Sequence, residues 1–339
     1  MKNLDLVFKK FRIIMYIQME QKISLKNYVK NGYTISKPLL DEKNIHLIRD
    51  LLDKEFKNTE KKSGNGIRIN NFKNSELINK IILLFKSPEI QKTIDDLKRI
   101  SGSEVSLLPF FEVQKNYHVN LKEFHGWHRD CGGELQYSYC KNIIAKKNYL
   151  FSKVGVYLQE NNEYGGSIDV LLKSHKNFSK FKLLFRKIRS LPYNIITFFH
   201  RKFNFLYFSM PESFFMFLLN GKRLFPEKSS AVFFDSRLIH RGSPISKKKL
   251  NEIKYVPGKL EAEVPNKKNK YSIYCQFGST EAVDSYMHDR LKRLNNSNEL
   301  KDWLDQMEFI SKFDKELSNQ MNKVLSPIKK KYSNYLAKN

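Results

Sequence analysis

Between residues 104 and 278 the chain is written in short β-type runs separated by glycine. Val105 to Val113, Val154 to Leu158, Ile168 to Leu172, Ala231 to Phe234 and Tyr271 to Phe277 are rich in β-branched and aromatic residues, and Gly132-Gly133 and Gly165-Gly166 punctuate them. Many short strands with glycine turns fold as a sandwich or barrel. The expected fold class is a mainly β core with helices: a double-stranded β-helix (jelly roll) with N-terminal helices, a helical insert and a helical C-terminal tail.

The N-terminal part reads as a strand followed by helices. Gly32-Tyr33-Thr34-Ile35 is β-type and Pro38 breaks it. Asp41 then caps a stripe of Ile45, Ile48, Leu51 and Leu52. A Lys/Asn/Ser-rich loop over 57–66 leads to one or two helices over 76–100, with Leu77, Ile78, Ile81 and Ile82 on one side. The stretch 176–226 interrupts the β pattern. Lys180, Lys182, Arg186, Lys187, Arg189, Arg201 and Lys202 alternate there with Phe181, Phe185, Phe198, Phe199, Phe203 and Phe205, and Glu212 is the only acid before Glu227. Such a mixture suits an anionic amphiphile or a membrane surface, but a helical lid with an ordinary apolar underside is the first expectation. From 280 on the chain reads as polar helix, with Trp303, Met307, Ile310 and Phe313 at helical spacing. The expected organisation is one jelly-roll domain over 22–278 containing the insert 176–226, then a helical extension over 279–339.

Composition narrows the classes. With 61 Lys+Arg against 35 Asp+Glu the formal charge is +26, which suits nucleic acid, an anionic membrane or an acidic small molecule, or a merely solvated lysine-rich surface. Zinc-finger, homeodomain-like and RNP signatures are not visible, so nucleic acid is the weaker expectation. Cys131, Cys140 and Cys275 form no C-x-x-C pair, which points to a reducing, cytoplasmic setting. The run Phe11 to Met19 makes a poor signal peptide, and no stretch has the length of a membrane span.

The sharpest chemical feature is Trp127-His128-Arg129-Asp130. On an extended strand, residues two apart point to one side, so His128 and Asp130 present an imidazole and a carboxylate to a common point. That is two thirds of a 2-His-1-carboxylate facial triad, the ligand set of non-haem Fe(II) oxygenases. A kinase reading of His128-Arg129-Asp130 fails, because Leu135 stands where the catalytic loop needs Asn. Far downstream, Ala231 to Gly242 reads as a buried strand, a turn and a second strand that delivers His240. A jelly roll brings such a late strand beside an early one.

Four segments in this order resemble the phytanoyl-CoA dioxygenase family of Fe(II)/2-oxoglutarate oxygenases. Asn31-Gly32-Tyr33-Thr34-Ile35 resembles the family's opening segment, and Gly126-Trp127-His128-Arg129-Asp130 its proximal metal motif. Gly165-Gly166-Ser167-Ile168-Asp169-Val170 followed by Lys173-Ser174-His175-Lys176 resembles the strand that ends in a G-S-H turn. Phe234-Asp235 through His240-Arg241-Gly242-Ser243-Pro244 resembles the distal metal motif. The resemblance covers most of 30–175 and 228–278. It implies Fe(II) held by His128, Asp130 and His240, with 2-oxoglutarate and O2 as co-substrates and succinate and CO2 as products. It further implies hydroxylation of a small-molecule or lipid-like substrate. The retained Asp130 favours hydroxylation over halogenation, since related halogenases give up that acid.

The chain departs from the family at the co-substrate cation. Where the family places an Arg about eleven residues after the distal His, position 251 is Asn. Lys270 stands where the next strand would carry that Arg, and Ser272 shares its face. Lysine is a point charge without the bidentate fork of arginine. Arg241 is the second candidate, although its adjacency to His240 sends it to the other face. Tyr157 and Gln114 are further candidates from neighbouring strands, although Tyr157 better fits a core tyrosine. His125 and His175 read as structural, and His46, His118, His200 and His288 fit no ligand pattern. A jelly roll that binds metal without turnover, its basic surface taking anionic ligands, is the competing class.

Overall fold

The computed structural model describes residues 25–57, 67–69, 73–116, 118–120, 127–130, 150–160, 167–176, 188, 191, 195, 216–217, 219–243, 261–263, 270–279, 281–283, 286, 305–306, 308–316 and 318–319. Helix α1 runs over 25–31. The chain continues through β1 (Tyr33–Pro38), α2 (Glu42–Lys57), β2 (Ile67–Ile69), α3 (Ser75–Phe85) and α4 (Pro88–Ser101). The β core follows as β3 (Val105–Asn116), β4 (His118–Asn120), β5 (Phe151–Tyr157), β6 (Ile168–Leu171), β7 (Gly221–Leu224), β8 (Ser230–Asp235), β9 (His240–Gly242), β10 (Glu261–Glu263) and β11 (Lys270–Ser279).

Strand order makes this a jelly roll. The major sheet runs β1-β8-β5-β11-β3-β2 and the minor sheet β7-β6-β9, with all neighbours antiparallel. His128 adds a bridge to His240 on the free side of β9. From β3 onward the chain therefore alternates between sheets: β3 major, His128 minor, β5 major, β6 and β7 minor, β8 major, β9 minor, β11 major. This is the double-stranded β-helix anticipated from the glycine-punctuated runs. Strands β4 and β10 pair separately.

The two faces of the major sheet have different neighbours. Phe111 and Val113 of β3, Val154 and Val156 of β5, Ala231 and Phe233 of β8, and Tyr271, Ile273, Cys275 and Phe277 of β11 join the helical stripes in one apolar core. The stripes are those read from the sequence: Ile45, Ile48, Leu51 and Leu52 on α2, and Leu77, Ile78, Ile81 and Ile82 on α3. Their ends carry the expected caps. The Asn44 N–H donates to Asp41 Oδ1 at 2.8 Å, the Leu77 N–H donates to Asn74 Oδ1 at 3.0 Å, and Gly102 closes α4 with φ +62°. The opposite face lines the interior of the roll, where Tyr33, Tyr157, Val232 and Phe234 meet Ile168 and Val170 of the minor sheet.

Residues from the tail belong to the same body. Ile310 is fully buried in the helix-side core, and Lys86 on the α3–α4 connection pairs with Asp314 at 2.8 Å and Glu316 at 3.0 Å. Within the insert, residues 188, 191, 195, 216 and 217 are helical. No helix of the described residues is long and apolar enough to cross a membrane. The N-terminal run Phe11 to Met19, the loop after Pro244 with Asn251, and Cys131 and Cys140 lie outside the described residues.

Candidate metal centre

The turn between β8 and β9 is built to aim His240. Asp235 Oδ1 accepts from the Arg237 N–H at 2.8 Å and from Arg237 Nε at 2.9 Å, while its Oδ2 takes the second guanidinium nitrogen at 2.6 Å. The Leu238 N–H closes the turn on Asp235 O at 2.7 Å, and Leu238 itself is fully buried. The Ile239 N–H donates to Ser174 Oγ at 2.7 Å, so the Lys173-Ser174-His175 turn supports the His240 segment directly. Lys173 N–H donates to Asn31 O at 3.3 Å, and Gly32 at φ +90° leaves the space that His175 and Leu238 fill. A Cβ on Gly32 would stand 2.6 Å from His175 Nδ1. His175 is thus structural, as expected, and its Nε2 meets Val29 O at 3.3 Å.

His128 is locked to His240 by reciprocal backbone hydrogen bonds, each 2.9 Å, and the two imidazoles lie with centroids 4.4 Å apart. Between His128 and Asp130, Arg129 turns the other way: its Nε donates to Arg237 O at 2.8 Å and one terminal nitrogen to Ser174 O at 3.4 Å. The alternation expected of an extended strand is therefore present. His128 and Asp130 point to one side, and Arg129 between them ties their segment to the His240 turn.

Asp130 Oδ1 lies 3.7 Å from His128 Nε2 and 3.7 Å from His240 Nε2. Among the described residues, these three offer ligand atoms that all lie within 4.8 Å of one another. Those spacings contract modestly to the roughly 3 Å subtended by adjacent ligands at about 2.1 Å bond length. The protonation states fit a dication. Burial pulls the His240 imidazole down to about 4 against the opposing pull of Asp130, so the ring is neutral at physiological pH. Its Nδ1 faces Leu238 O at 3.0 Å, which fixes the proton there and leaves the Nε2 lone pair toward Asp130. Burial would raise the Asp130 carboxyl, but Lys153, His240 and His128 together hold it well below the usual carboxylate range. His128 is 52% exposed, Asp130 is half-buried and His240 is buried, so the cluster opens to solvent on the His128 side.

Lys153 is the site residue that the sequence reading missed. Its Nζ lies 3.5 Å from Asp130 Oδ2 and 4.7 Å from the centre of the Tyr274 ring. The available signal was alternation, since Lys153, Gly155 and Tyr157 share one face of β5. Gly155 has a packing reason on that face: a Cβ there would lie 2.7 Å from Tyr274 Cε1.

Four of the co-substrate candidates fall on the inner face of the major sheet. Ser272 pairs in register with Gln114 on one side and with Tyr157 on the other, and Lys270 lies two residues along β11. Lys270 is 7% exposed, and burial pulls its ammonium down to about 7. Burial also raises the Tyr157 phenol well above its ordinary value, with Tyr274 and Asp130 adding to the effect. Gln114 Nε2 donates to Glu112 Oε1 at 3.0 Å.

Arg241 belongs elsewhere, which corrects its expected place among the co-substrate ligands. On the far face of the minor sheet its Nε and a terminal nitrogen reach Asp169 Oδ2 at 3.0 and 2.9 Å. Arg223 and Ser243 bind the same fully buried carboxylate at 2.9 and 2.8 Å, and the Trp127 ring covers the Arg241 guanidinium at 4.6 Å. Register explains the direction: Asp169 sits opposite both Arg223 and Arg241, while Val170 sits opposite His240. Cys275 is buried on the helix side, away from the interior of the roll. His46 is a surface residue near Glu42. The side chains of His118, His125, His200 and His288 lie outside the described residues.

No family model matches this chain, and no curated protein matches it. Among solved structures, AviO1 from Streptomyces viridochromogenes Tue57 is similar at 12% identity and a TM-score of 0.44, over 76% of this chain and 95% of that one. HygX from Streptomyces hygroscopicus, with nickel and 2-oxoglutarate bound, is similar at 13% identity and 0.45, over 76% and 86%. The non-heme alpha ketoglutarate dependent epimerase SnoN from nogalamycin biosynthesis is similar at 11% identity and 0.44, over 77% and 84%. These likenesses are too remote to carry activity or fold; the jelly roll stands on its own strand order.

Proposed function

We propose that this chain is an Fe(II)- and 2-oxoglutarate-dependent oxygenase acting on a small-molecule or lipid-like substrate. The observation that carries the reading is the convergence of His128, Asp130 and His240 on one point at the open end of a jelly roll. Two imidazole donors and one carboxylate would hold a dication and leave room on it for a bidentate co-substrate. The motif resemblance to the phytanoyl-CoA dioxygenase family supports the same assignment and favours hydroxylation.

Each residue then has a task. His128, Asp130 and His240 hold the iron, with the Leu238 carbonyl fixing the His240 tautomer. Lys153 keeps Asp130 ionised and oriented within the buried site. Lys270 and Ser272, flanked by Tyr157 and Gln114, take the far carboxylate of 2-oxoglutarate. With both bound, iron and 2-oxoglutarate supply, together with O2, an oxidant for a substrate C–H bond, the co-substrate leaving as succinate and CO2. The protein contributes position and a largely water-excluded interior, lined by Val170, Val232 and Phe234. We assign the jelly roll to residues 22–278 and a cytoplasmic setting, on domain pattern and cysteine usage.

The test is oxygen-dependent conversion of 2-oxoglutarate to succinate by the iron-loaded chain. Turnover is expected in the wild type and absent in His240→Ala. Tight metal binding without succinate across a panel of anionic and amphiphilic substrates would instead favour a non-catalytic metal-binding jelly roll.

A further inference from the structure

The segment from 188 to 225 carries most of the large exposed apolar side chains among the described residues. Among the described residues, eight large hydrophobic side chains are exposed, and five of them, Ile188, Leu191, Ile195, Phe217 and Phe225, fall between 188 and 225. Scattered exposed apolar residues need no explanation, but a concentration in one segment does. Ile188, Leu191 and Ile195 are each helical, stand at sequence spacing i, i+3, i+7, the spacing of one helix face, and are 57, 55 and 46% exposed. A lid with a buried apolar underside is the arrangement these three do not adopt.

The charge around them indicates what covers the face. Arg186, Lys187 and Arg189 flank Ile188 in sequence, Lys180, Lys182, Arg201 and Lys202 lie further out, and Glu212 is the single acid from 177 to 226. An exposed apolar strip embedded in basic sequence complements an anionic bilayer surface: side chains enter the acyl boundary while lysine and arginine meet the headgroups. The insert is also rooted at the metal end of the roll. Val170 stands opposite His240 and Leu171 opposite Gly221, so the chain leaves β6 and returns to β7 one residue from the ligand's register position.

We infer that the insert docks the protein on anionic lipid bilayers through Ile188, Leu191 and Ile195. This inference does not depend on the oxygenase reading, and its test reads binding alone. The full chain is sedimented with vesicles of phosphatidylcholine and with vesicles that also contain phosphatidylglycerol. The expected result is partition to the anionic vesicles only, weakened by salt. The Ile188→Ser/Leu191→Ser/Ile195→Ser variant, which removes about half-exposed apolar surface, partitions about tenfold less while the chain still unfolds cooperatively. Arg186→Glu/Lys187→Glu/Arg189→Glu partitions at least as weakly. The inference is overturned by absence of wild-type binding, by equal binding to neutral vesicles, or by a triple-serine variant that binds like wild type. It is equally overturned if the wild type forms a dimer that the triple-serine variant lacks, since the face would then pair with a second copy of the chain.

Discussion

Strand β11 has two faces with opposite duties. Tyr271, Ile273, Cys275 and Phe277 point to the helices and are completely or almost completely buried in the large apolar core. Lys270, Ser272, Tyr274 and Gln276, one residue out of phase, point into the roll, where the neighbouring in-facing positions include Gln114, Lys153 and Tyr157. The difference teaches how one strand stabilises a fold and equips a site at once. The helix side contributes burial, about 1.5–3 kcal/mol for each large side chain. The inner side accepts a buried lysine whose ammonium burial pulls down to about 7, a feature that costs stability and has no packing rationale.

Substitutions on the two faces should separate stability from chemistry. The largest effect is expected at the metal: His240→Ala reduces succinate formation to background, read by product assay, while the melting temperature changes little. On the helix side, Ile273→Ala should do the reverse. It leaves a cavity and lowers unfolding free energy by about 3 kcal/mol in denaturant titrations, with metal affinity retained.

Lys153→Met tests a residue in which the two duties meet. Asp130 is ionised in the folded chain at pH values where an unfolded aspartate is protonated, so its pairing stabilises the fold at neutral pH and is lost as pH falls into the acid range. Removing the ammonium leaves a buried carboxylate and should cost the metal-free chain about 2 kcal/mol. A divalent metal takes over neutralisation, so thermal melts of the metal-loaded variant should recover most of that loss. An equal deficit with and without metal would place Lys153 in packing alone.

The smallest effect is a pH dependence. Burial lowers Lys270 to about 7, and only its protonated form attracts a carboxylate. Above pH 7 the affinity for 2-oxoglutarate should therefore fall, by about tenfold for each further pH unit, in calorimetric titrations of the metal-loaded chain. Lys270→Arg keeps its charge and should flatten that decline.

Much of this was legible in the sequence, and the exceptions have physical causes. The five strand runs, the helical stripes and the ligand motifs are local patterns, and the structure returns them as β3, β5, β6, β8, β11, α2, α3 and α4. Strands β2, β4 and β10 have three residues each, too few for alternation to register, and β7 is hidden at the end of the basic insert. Lys153 escaped notice because the phase of a pleat is fixed by neighbouring strands, and a slip of one residue would turn it to the other face. Arg241 was placed correctly by alternation as facing away from His240. Its partner Asp169 was not legible, because the contact joins β6 to β9 across the minor sheet.

His128, Asp130 and His240 are proposed to hold one iron that also binds 2-oxoglutarate. Anaerobic titration with Fe(II) and 2-oxoglutarate tests it most directly, through the weak visible charge-transfer band of the bidentate complex. The wild type should develop the band at one iron per chain, His128→Ala should not, and Lys270→Ala should need more 2-oxoglutarate to reach it. An iron-loaded wild type without the band, or a His128→Ala chain that retains it, would contradict the account.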